Sequence, residues 1–295
     1  MNSVGFIYYV HAHLCLFVVK AANVKMHAQA SCTVEPKDER QIESVSFTGN
    51  VACTPSVEGN VEIKSDVGVI LPTYCEAANI RPLIREIEGL KAKMSILVID
   101  DSSPDGTANI VRSLQKKYDN ILLRVRPKKC GLGTAITDGF KTFLSLKHPP
   151  GCIITMDADY SHNPKDIMRL VSALENKFDL VIGSRYCSQG KTVDWSAMRR
   201  AISKVANLTA SLLVRAKISD YTSGLRCYST SLVKSILGDL HSQTYEIQIE
   251  TIRQAHLRNF RIREIPVTFT NRKKGKSKLA LNEIRQFISY VFLKL

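Results

Sequence analysis

Between Val67 and Phe269, short continuous apolar runs alternate with longer stretches whose apolar residues recur every three or four positions. Val67-Gly68-Val69-Ile70-Leu71-Pro72-Thr73-Tyr74 reads as a buried first strand running into a turn. Ile96–Ile99 is a second, ending in Asp100-Asp101, and Ile121–Val125 a third. Cys152-Ile153-Ile154-Thr155-Met156 is the fourth, and Leu180-Val181-Ile182-Gly183 a further one that delivers Ser184-Arg185-Tyr186. Between them, Ile80, Leu83, Ile84, Ile87 and Leu90 fall at helical spacing, as do Ile110, Val111 and Leu114 after the Ser102–Thr107 turn. Gly131-Leu132-Gly133-Thr134 opens a helix toward Phe143, and Met168, Leu170, Val171 and Leu174 mark another. Farther on, the pattern predicts a helix from about Ala197 to Val214, a loop over Ser219–Tyr228 containing Gly224 and Arg226, a helix from Tyr245 to His256, and a strand over Ile262–Phe269. Strand and helix in alternation predict an α/β fold with a doubly wound, mainly parallel sheet.

The ends of the chain break this rhythm. Val4–Val19 is apolar, but His11 and His13 interrupt it, and its roughly 16 residues fall short of the ~20 that span a bilayer. Ala28-Gln29-Ala30 resembles a signal-peptidase site, against which stand a leader without a basic start and the intervening Lys20 and Lys25. Residues 31–66 are polar without a hydrophobic period, so residues 1–65 are expected to form a poorly ordered extension and 66–270 the catalytic domain. In 271–295, the basic loop Asn271–Lys278 precedes Leu281, Ile284, Phe287, Ile288, Val291, Phe292 and Leu295. Those positions draw one apolar face on an amphipathic helix, suited to capping the core, a membrane interface or a partner's helices.

The 295 residues carry a formal charge of +14, and the window Arg185–Lys278 holds 18 Lys and Arg against 6 Asp and Glu. An excess of that kind points to acidic partners: nucleic acid, anionic lipid or phosphorylated substrates. The sequence has neither zinc-finger spacing nor an aromatic-rich RNA-reading motif, which speaks against nucleic acid. No G-x-G-x-x-G follows the first strand, which speaks against a dinucleotide-dependent oxidoreductase. The eight cysteines form no C-x-x-C pair, so neither a zinc site nor a redox dithiol is indicated, and reduced thiols facing a cytosol fit best.

The chemistry concentrates where the fourth strand ends, in Met156-Asp157-Ala158-Asp159-Tyr160-Ser161-His162. Ligands of open α/β sheets bind outside the carboxyl ends of the strands. Two hard carboxylates one residue apart suit Mg²⁺ or Mn²⁺ shared with substrate phosphates. The plainer alternative is a strand-end turn with solvated acids. His162 suits packing at a helix start, Trp195 a structural anchor rather than a sugar platform, and Arg199-Arg200 ordinary solvated helix charges.

Taken together, Leu71-Pro72-Thr73-Tyr74-Cys75-Glu76, Asp100–Thr107, Lys129–Ala135, Met156–Asp159 and Gly183-Ser184-Arg185-Tyr186 resemble the inverting family 2 glycosyltransferases of GT-A fold. The likeness covers about Val67–Leu295 and is greatest to the branch acting on dolichyl phosphate. It implies that Pro72, Tyr74 and Glu76 contact the nucleotide, that Ile99 and Asp101 sit where guanine and ribose are gripped, and that Asp157 and Ala158 touch the sugar nucleotide. It further implies Asp159 as principal metal ligand, with Asp157 and Ser161 beside it; Arg185, Arg272 and Lys278 on the donor diphosphate; and Arg199 with Ser203 on the lipid phosphate. Asp159 and Arg185 would be the catalytic pair. Cys75 replaces the usual Asn before Glu76, Leu225 replaces a common aromatic, and Lys276 replaces an acid.

The implied reaction is transfer of mannose from GDP-mannose to dolichyl phosphate, with inversion and with Mg²⁺ or Mn²⁺. UDP-glucose-dependent glucosyl transfer to the same lipid is the alternative. A phosphate acceptor is already anionic and needs no general base. The same likeness implies the cytosolic face of the endoplasmic reticulum membrane, small membrane-anchoring accessory subunits, and a product used in glycosylation and GPI-anchor synthesis.

Overall fold

The computed structural model describes residues 56–90 and 92–272. Val4–Val19, the Ala28–Ala30 triplet, Lys278 and the remainder of the basic loop from Lys273, and the Leu281–Leu295 face lie outside the described residues.

Seven strands form one sheet in the order β3-β2-β1-β4-β7-β5-β8, where β1 is Val67–Thr73, β2 Met94–Asp100, β3 Ile121–Val125, β4 Cys152–Thr155, β5 Leu180–Ser184, β7 Arg226–Ser229 and β8 Ile262–Pro266. All neighbours run parallel except β7, which lies antiparallel between β4 and β5. Alternate residues feed two cores. Val69, Leu71, Ile96, Val98 and Ile154 point to one face, against helices α1 (Ala77–Glu88), α2 (Thr107–Gln115) and α4 (Asp166–Glu175). Ile70, Leu97, Ile99 and Ile153 point to the other, against α3 (Leu132–Ser145), α6 (Thr230–Ile236) and α7 (Ile247–Leu257). Covering both faces is why these strands read as unbroken apolar runs. Each such Ile or Leu contributes about 1.5–3 kcal/mol through burial.

Three expectations change. The loop expected over Ser219–Tyr228 gives way at Arg226 to β7, a four-residue strand whose Arg226 is wholly buried. Its guanidinium donates to the carbonyls of Ser223, Gln248 and Tyr221 and to Thr251 Oγ1, so the cation is solvated by the protein itself. The strand expected over Ile262–Phe269 is two: β8, and β9 (Thr268–Thr270), which leaves the main sheet to pair in parallel with β6 (Lys191–Val193). The break falls at Pro266, which has no N–H to continue the ladder. Finally, the described end of the expected extension is docked. Glu58 exchanges backbone bonds with Leu123 (2.8 and 2.9 Å), and its carboxylate takes both Nε and Nη2 of Arg112 at 2.8 Å.

One helix stands apart from the cores. Helix α5 (Ala197–Val214) buries only Asn207, Ala210 and Val214, while Met198, Ile202, Val205, Leu208 and Leu212 are exposed. Ser196 caps its start, accepting from the Arg199 N–H at 3.2 Å. Among the described residues, no helix is long and apolar enough to cross a membrane.

Candidate active site

The carboxyl ends of β1, β2, β4 and β5 open on one side of the sheet. The β1 turn is held by short-range polar chemistry: buried Asp100 accepts from Thr73 Oγ1 (2.7 Å) and from Ser103 N and Oγ (2.9 and 2.6 Å). Ser103 Oγ accepts the Cys75 N–H at 2.9 Å, and Thr107 Oγ1 accepts the Glu76 N–H at 3.0 Å. Cys75 sits at φ +57, a left-handed conformation that Asn tolerates better, so the family's Asn at this position has a backbone reason. Glu76 is buried, with Asn79 Nδ2 2.8 Å from its carboxylate. Pro72 and Tyr74 are half-buried beside it, with Lys129 Nζ 5.0 Å from the Tyr74 ring centre.

Three positions assigned to the nucleotide or sugar are not open surfaces. Ile99 is fully buried in the second core, and Ala158 is 3% exposed in the first, so neither side chain offers a face to ligand. Asp101 is also enclosed. Its carboxylate pairs with buried Arg126 and accepts from the Cys130 and Gly131 N–H groups (3.1 and 3.3 Å). Burial raises its pKa despite those partners. Asp101 thus fixes the loop that opens α3.

Beyond β4, Asp157 and Asp159 take different surroundings. Asp157 is about one-third open, with His162 Nε2 3.4 Å from its Oδ2. Burial pushes its carboxyl up, and the His162 ring, with Arg272 and Arg185 nearby, outweighs that and holds it below the usual carboxylate range. Asp159 is nearly enclosed: Oδ1 accepts the Ser161 N–H at 3.0 Å, and Oδ2 meets Arg272 Nη2 at 2.9 Å. Ser161 Oγ is buried without a hydrogen-bond partner among the described residues. Two carboxylates and an uncommitted hydroxyl form an all-oxygen donor set that fits Mg²⁺ or Mn²⁺. No cluster of three His, Cys, Asp or Glu occurs among the described residues, so substrate oxygens would complete the shell.

Three guanidinium groups gather opposite the acids. Arg185, buried at the end of β5, donates through Nε and Nη2 to Asp220 (2.7 and 2.6 Å) and through Nη2 to Thr222 Oγ1 (2.7 Å); its backbone N–H also reaches Asp220 at 2.9 Å. That pairing turns much of Arg185 inward, leaving its remaining edge and its field toward the cleft. Arg199, on the first turn of α5, donates to Asn271 Oδ1 at 2.8 Å. Burial, then Arg272 and Arg185, lower its pKa. Ser203 lies one turn on, half-buried on the same side of the helix, its carbonyl accepting from Asn207 Nδ2 at 2.8 Å. The structure thus brings Asp157, Asp159, Ser161, Arg185, Arg199 and Arg272 to one end of the sheet.

Several supporting residues carry no sequence signal of their role. Asp220 is completely buried, and Glu264 accepts the N–H groups of Ser219 and Asp220 (2.8 and 2.9 Å). Asn207 ties α5 to this turn, accepting from Tyr221 N (2.6 Å) and donating to Thr222 Oγ1 (3.1 Å). Gly224 is a packing requirement: a Cβ there would lie 3.0 and 3.1 Å from the Asp157 carboxylate oxygens. Gly224→Ala is therefore expected to push Asp157 aside and lower turnover up to about a hundredfold while the fold persists. Circular dichroism alongside steady-state rates checks this, and unchanged turnover would mean Asp157 need not hold its place.

The sequence profile of glycosyl transferase family 2 matches residues 68–237. Polyprenol monophosphomannose synthase of Mycolicibacterium smegmatis is 36% identical over 220 residues, 74% of this chain and 82% of that protein. Undecaprenyl-phosphate mannosyltransferase of Micrococcus luteus is 34% identical over 213 residues, 72% of this chain and 86% of that one. Among solved structures, glucosyl-3-phosphoglycerate synthase from Mycobacterium tuberculosis, in complex with Mn²⁺, uridine diphosphate and phosphoglyceric acid, superposes with a TM-score of 0.57 at 18% identity over 78% of each chain.

Proposed function

This chain belongs to glycosyl transferase family 2 and has the GT-A fold, and from that premise we propose that it transfers mannose from GDP-mannose to dolichyl phosphate. The named activities of the two bacterial relatives support the coarser statement, mannosyl transfer to a polyprenyl phosphate. Dolichol and GDP as the particular lipid and nucleotide rest on the motif likeness. The observation that carries the proposal is the meeting of the Asp157–Asp159 pair with Arg185, Arg199 and Arg272 at one end of the sheet.

That arrangement suits a reaction whose leaving group and nucleophile are both phosphates. Asp159 and Asp157, with Ser161 Oγ, would hold Mg²⁺ or Mn²⁺, which when bound supplies Lewis-acid stabilisation of the departing diphosphate. Arg272, now on Asp159, lies where it can turn to the same diphosphate. Arg199 receives the acceptor phosphate, and Ser203 lies one turn along α5. The acceptor oxygen attacks the anomeric carbon from the face opposite GDP, so the carbon inverts as the bond to the diphosphate breaks. No side chain needs to take a proton, and the rate derives from alignment and charge stabilisation.

The acceptor is a membrane lipid, and α5 offers a surface for it. Met198, Leu208 and Leu212 are 61–63% exposed along one side, with exposed Arg200 and Lys204 beside them. An apolar stripe flanked by cations lies comfortably in an anionic lipid interface. We place this surface on the cytosolic face of the endoplasmic reticulum membrane, with small membrane subunits as tethers, and the product in glycosylation and GPI-anchor synthesis.

The test is a transfer assay with purified protein, a short polyprenyl phosphate, and either GDP-mannose or UDP-glucose, with and without Mn²⁺. Mannosyl phosphopolyprenol formed only with the divalent cation is expected. Glucosyl product from UDP-glucose, with none from GDP-mannose, would overturn the donor assignment.

A further inference from the structure

The chain has one tryptophan, Trp195, in the turn that leads into α5, 6% exposed. An anchor of the ordinary kind packs among aliphatic side chains, whereas this ring lies against two cations. The Arg199 guanidinium carbon lies 4.1 Å from the Trp195 ring centre and that of Arg185 lies 5.4 Å away. Phe269 meets the indole edge-on (5.3 Å, 82°) and stands edge-on to His162 (4.9 Å, 89°), the ring beneath Asp157. Phe269 also lies 5.5 Å from the Arg185 guanidinium and 5.9 Å from that of Arg199. One aromatic block therefore touches both cations and backs the first acid.

The two guanidinium groups differ in how their charge is met. Arg185 has Asp220, whereas Arg199 has the neutral Asn271 amide, and no carboxylate forms an ion pair with it among the described residues. A half-buried cation beside another cation is disfavoured unless something holds it, and an aromatic face attracts a guanidinium without neutralising it. Arg199 is thereby fixed in place with its charge still available. The lowering of its pKa by burial and by its cationic neighbours agrees with a site short of one anion.

We propose that Trp195 is a positioning residue for the acceptor phosphate: its ring face fixes the Arg199 guanidinium beside Arg185, so that a phosphate monoester arriving from the lipid binds between pre-oriented donors and against the indole. This rests on the acceptor chemistry proposed above. Phe269 sets the tilt of the indole. The guanine and ribose, bound from the β1 and β2 side, do not meet this ring, and Arg185, which also serves the donor diphosphate, is held by Asp220 without it.

Since Trp195 is the only tryptophan, selectively excited tryptophan emission, free of the ten tyrosines, reports this site alone. Without donor, titration of the full chain with citronellyl phosphate, and separately with inorganic phosphate, is expected to give a saturable emission change that weakens at least about tenfold in Arg199→Ala. In steady state, Trp195→Leu, which keeps an apolar side chain but removes the π face, is expected to raise KM for citronellyl phosphate about tenfold and to change KM for GDP-mannose far less. Trp195→Phe, which keeps a ring, is expected to recover most of that loss. Thermal unfolding confirms that the variants are folded; were Trp195→Leu unfolded, the titration of wild type against Arg199→Ala decides the matter alone. An emission change that persists unaltered in Arg199→Ala, or an unaltered acceptor KM in folded Trp195→Leu, would overturn the proposal. Wild-type protein that binds citronellyl phosphate but never mannosylates it would instead refute the function proposed above while leaving this phosphate site standing.

Discussion

Asp159→Ala is expected to abolish mannosyl transfer, a loss on the order of 10³-fold or more, and with it any dependence of rate on divalent cation. Its carboxylate is nearly enclosed and held in place by the Ser161 N–H at 3.0 Å and by Arg272 at 2.9 Å, so a cation that displaces Arg272 meets a hard donor already set. Removing it leaves the departing diphosphate without its main charge-stabilising centre and leaves Arg272 without its present partner. Equilibrium binding of Mn²⁺ in the presence of GDP is expected to weaken in parallel, which separates loss of the ligand from a general disturbance of the fold. Turnover near that of wild type, measured with the cation chelated, would show that the acid doublet is not the metal site.

The second large effect is on stability. Asp220→Ala is expected to destabilise the fold by roughly 3–5 kcal/mol, because it strands the Arg185 guanidinium in a buried place without its counter-charge. Burial opposes ionisation of Asp220, but the charge and hydrogen bonds of Arg185 prevail and hold its pKa below the usual range. A carboxyl depressed in the folded state binds its proton more readily when unfolded. Its contribution is therefore complete above the unfolded value of about 3.9 and is lost as pH falls through the lower folded value. Urea midpoints should accordingly show the gap between wild type and Asp220→Ala at neutral pH and a narrowing of that gap well below about pH 4. A gap that stayed constant through that window would mean the pair contributes nothing through its charges.

Both effects bear on what was legible in the chain. Asp159 is visible from sequence because its role is local: an apolar strand ends, two acids follow, and a parallel sheet delivers strand ends to ligands. The same logic located the turns after β1 and β2, and five motifs in order identified the family. Asp220 was invisible because an isolated Asp between Ser219 and Tyr221 looks like any loop residue until Arg185, thirty-five positions earlier, is folded onto it. Arg226 misled for the opposite reason. A charged residue argues against a central strand, and only the carbonyls of Ser223, Gln248 and Tyr221 make one tolerable there. Ile99 and Ala158 were assigned to ligand on motif position, yet the pleat of β2 turns the Ile99 side chain into one core and the turn after β4 tucks Ala158 into the other.

Trp195 lies between these cases. Its expected part as an anchor was correct as far as burial goes, but the sequence could not say what it anchors. The answer required β9 to leave the main sheet after Pro266 and bring Phe269 beside it.

By itself, the sequence determined the alternating elements, the strand ends that carry chemistry, and the acids fit for a hard cation, because these depend on periodicity and on neighbours a few residues away. Only the tertiary structure decided which cation faces which acid, why a side chain at residue 224 would crowd Asp157, and which helix displays its apolar side. Those outcomes depend on distance between segments far apart in the chain, and no local pattern encodes such a distance.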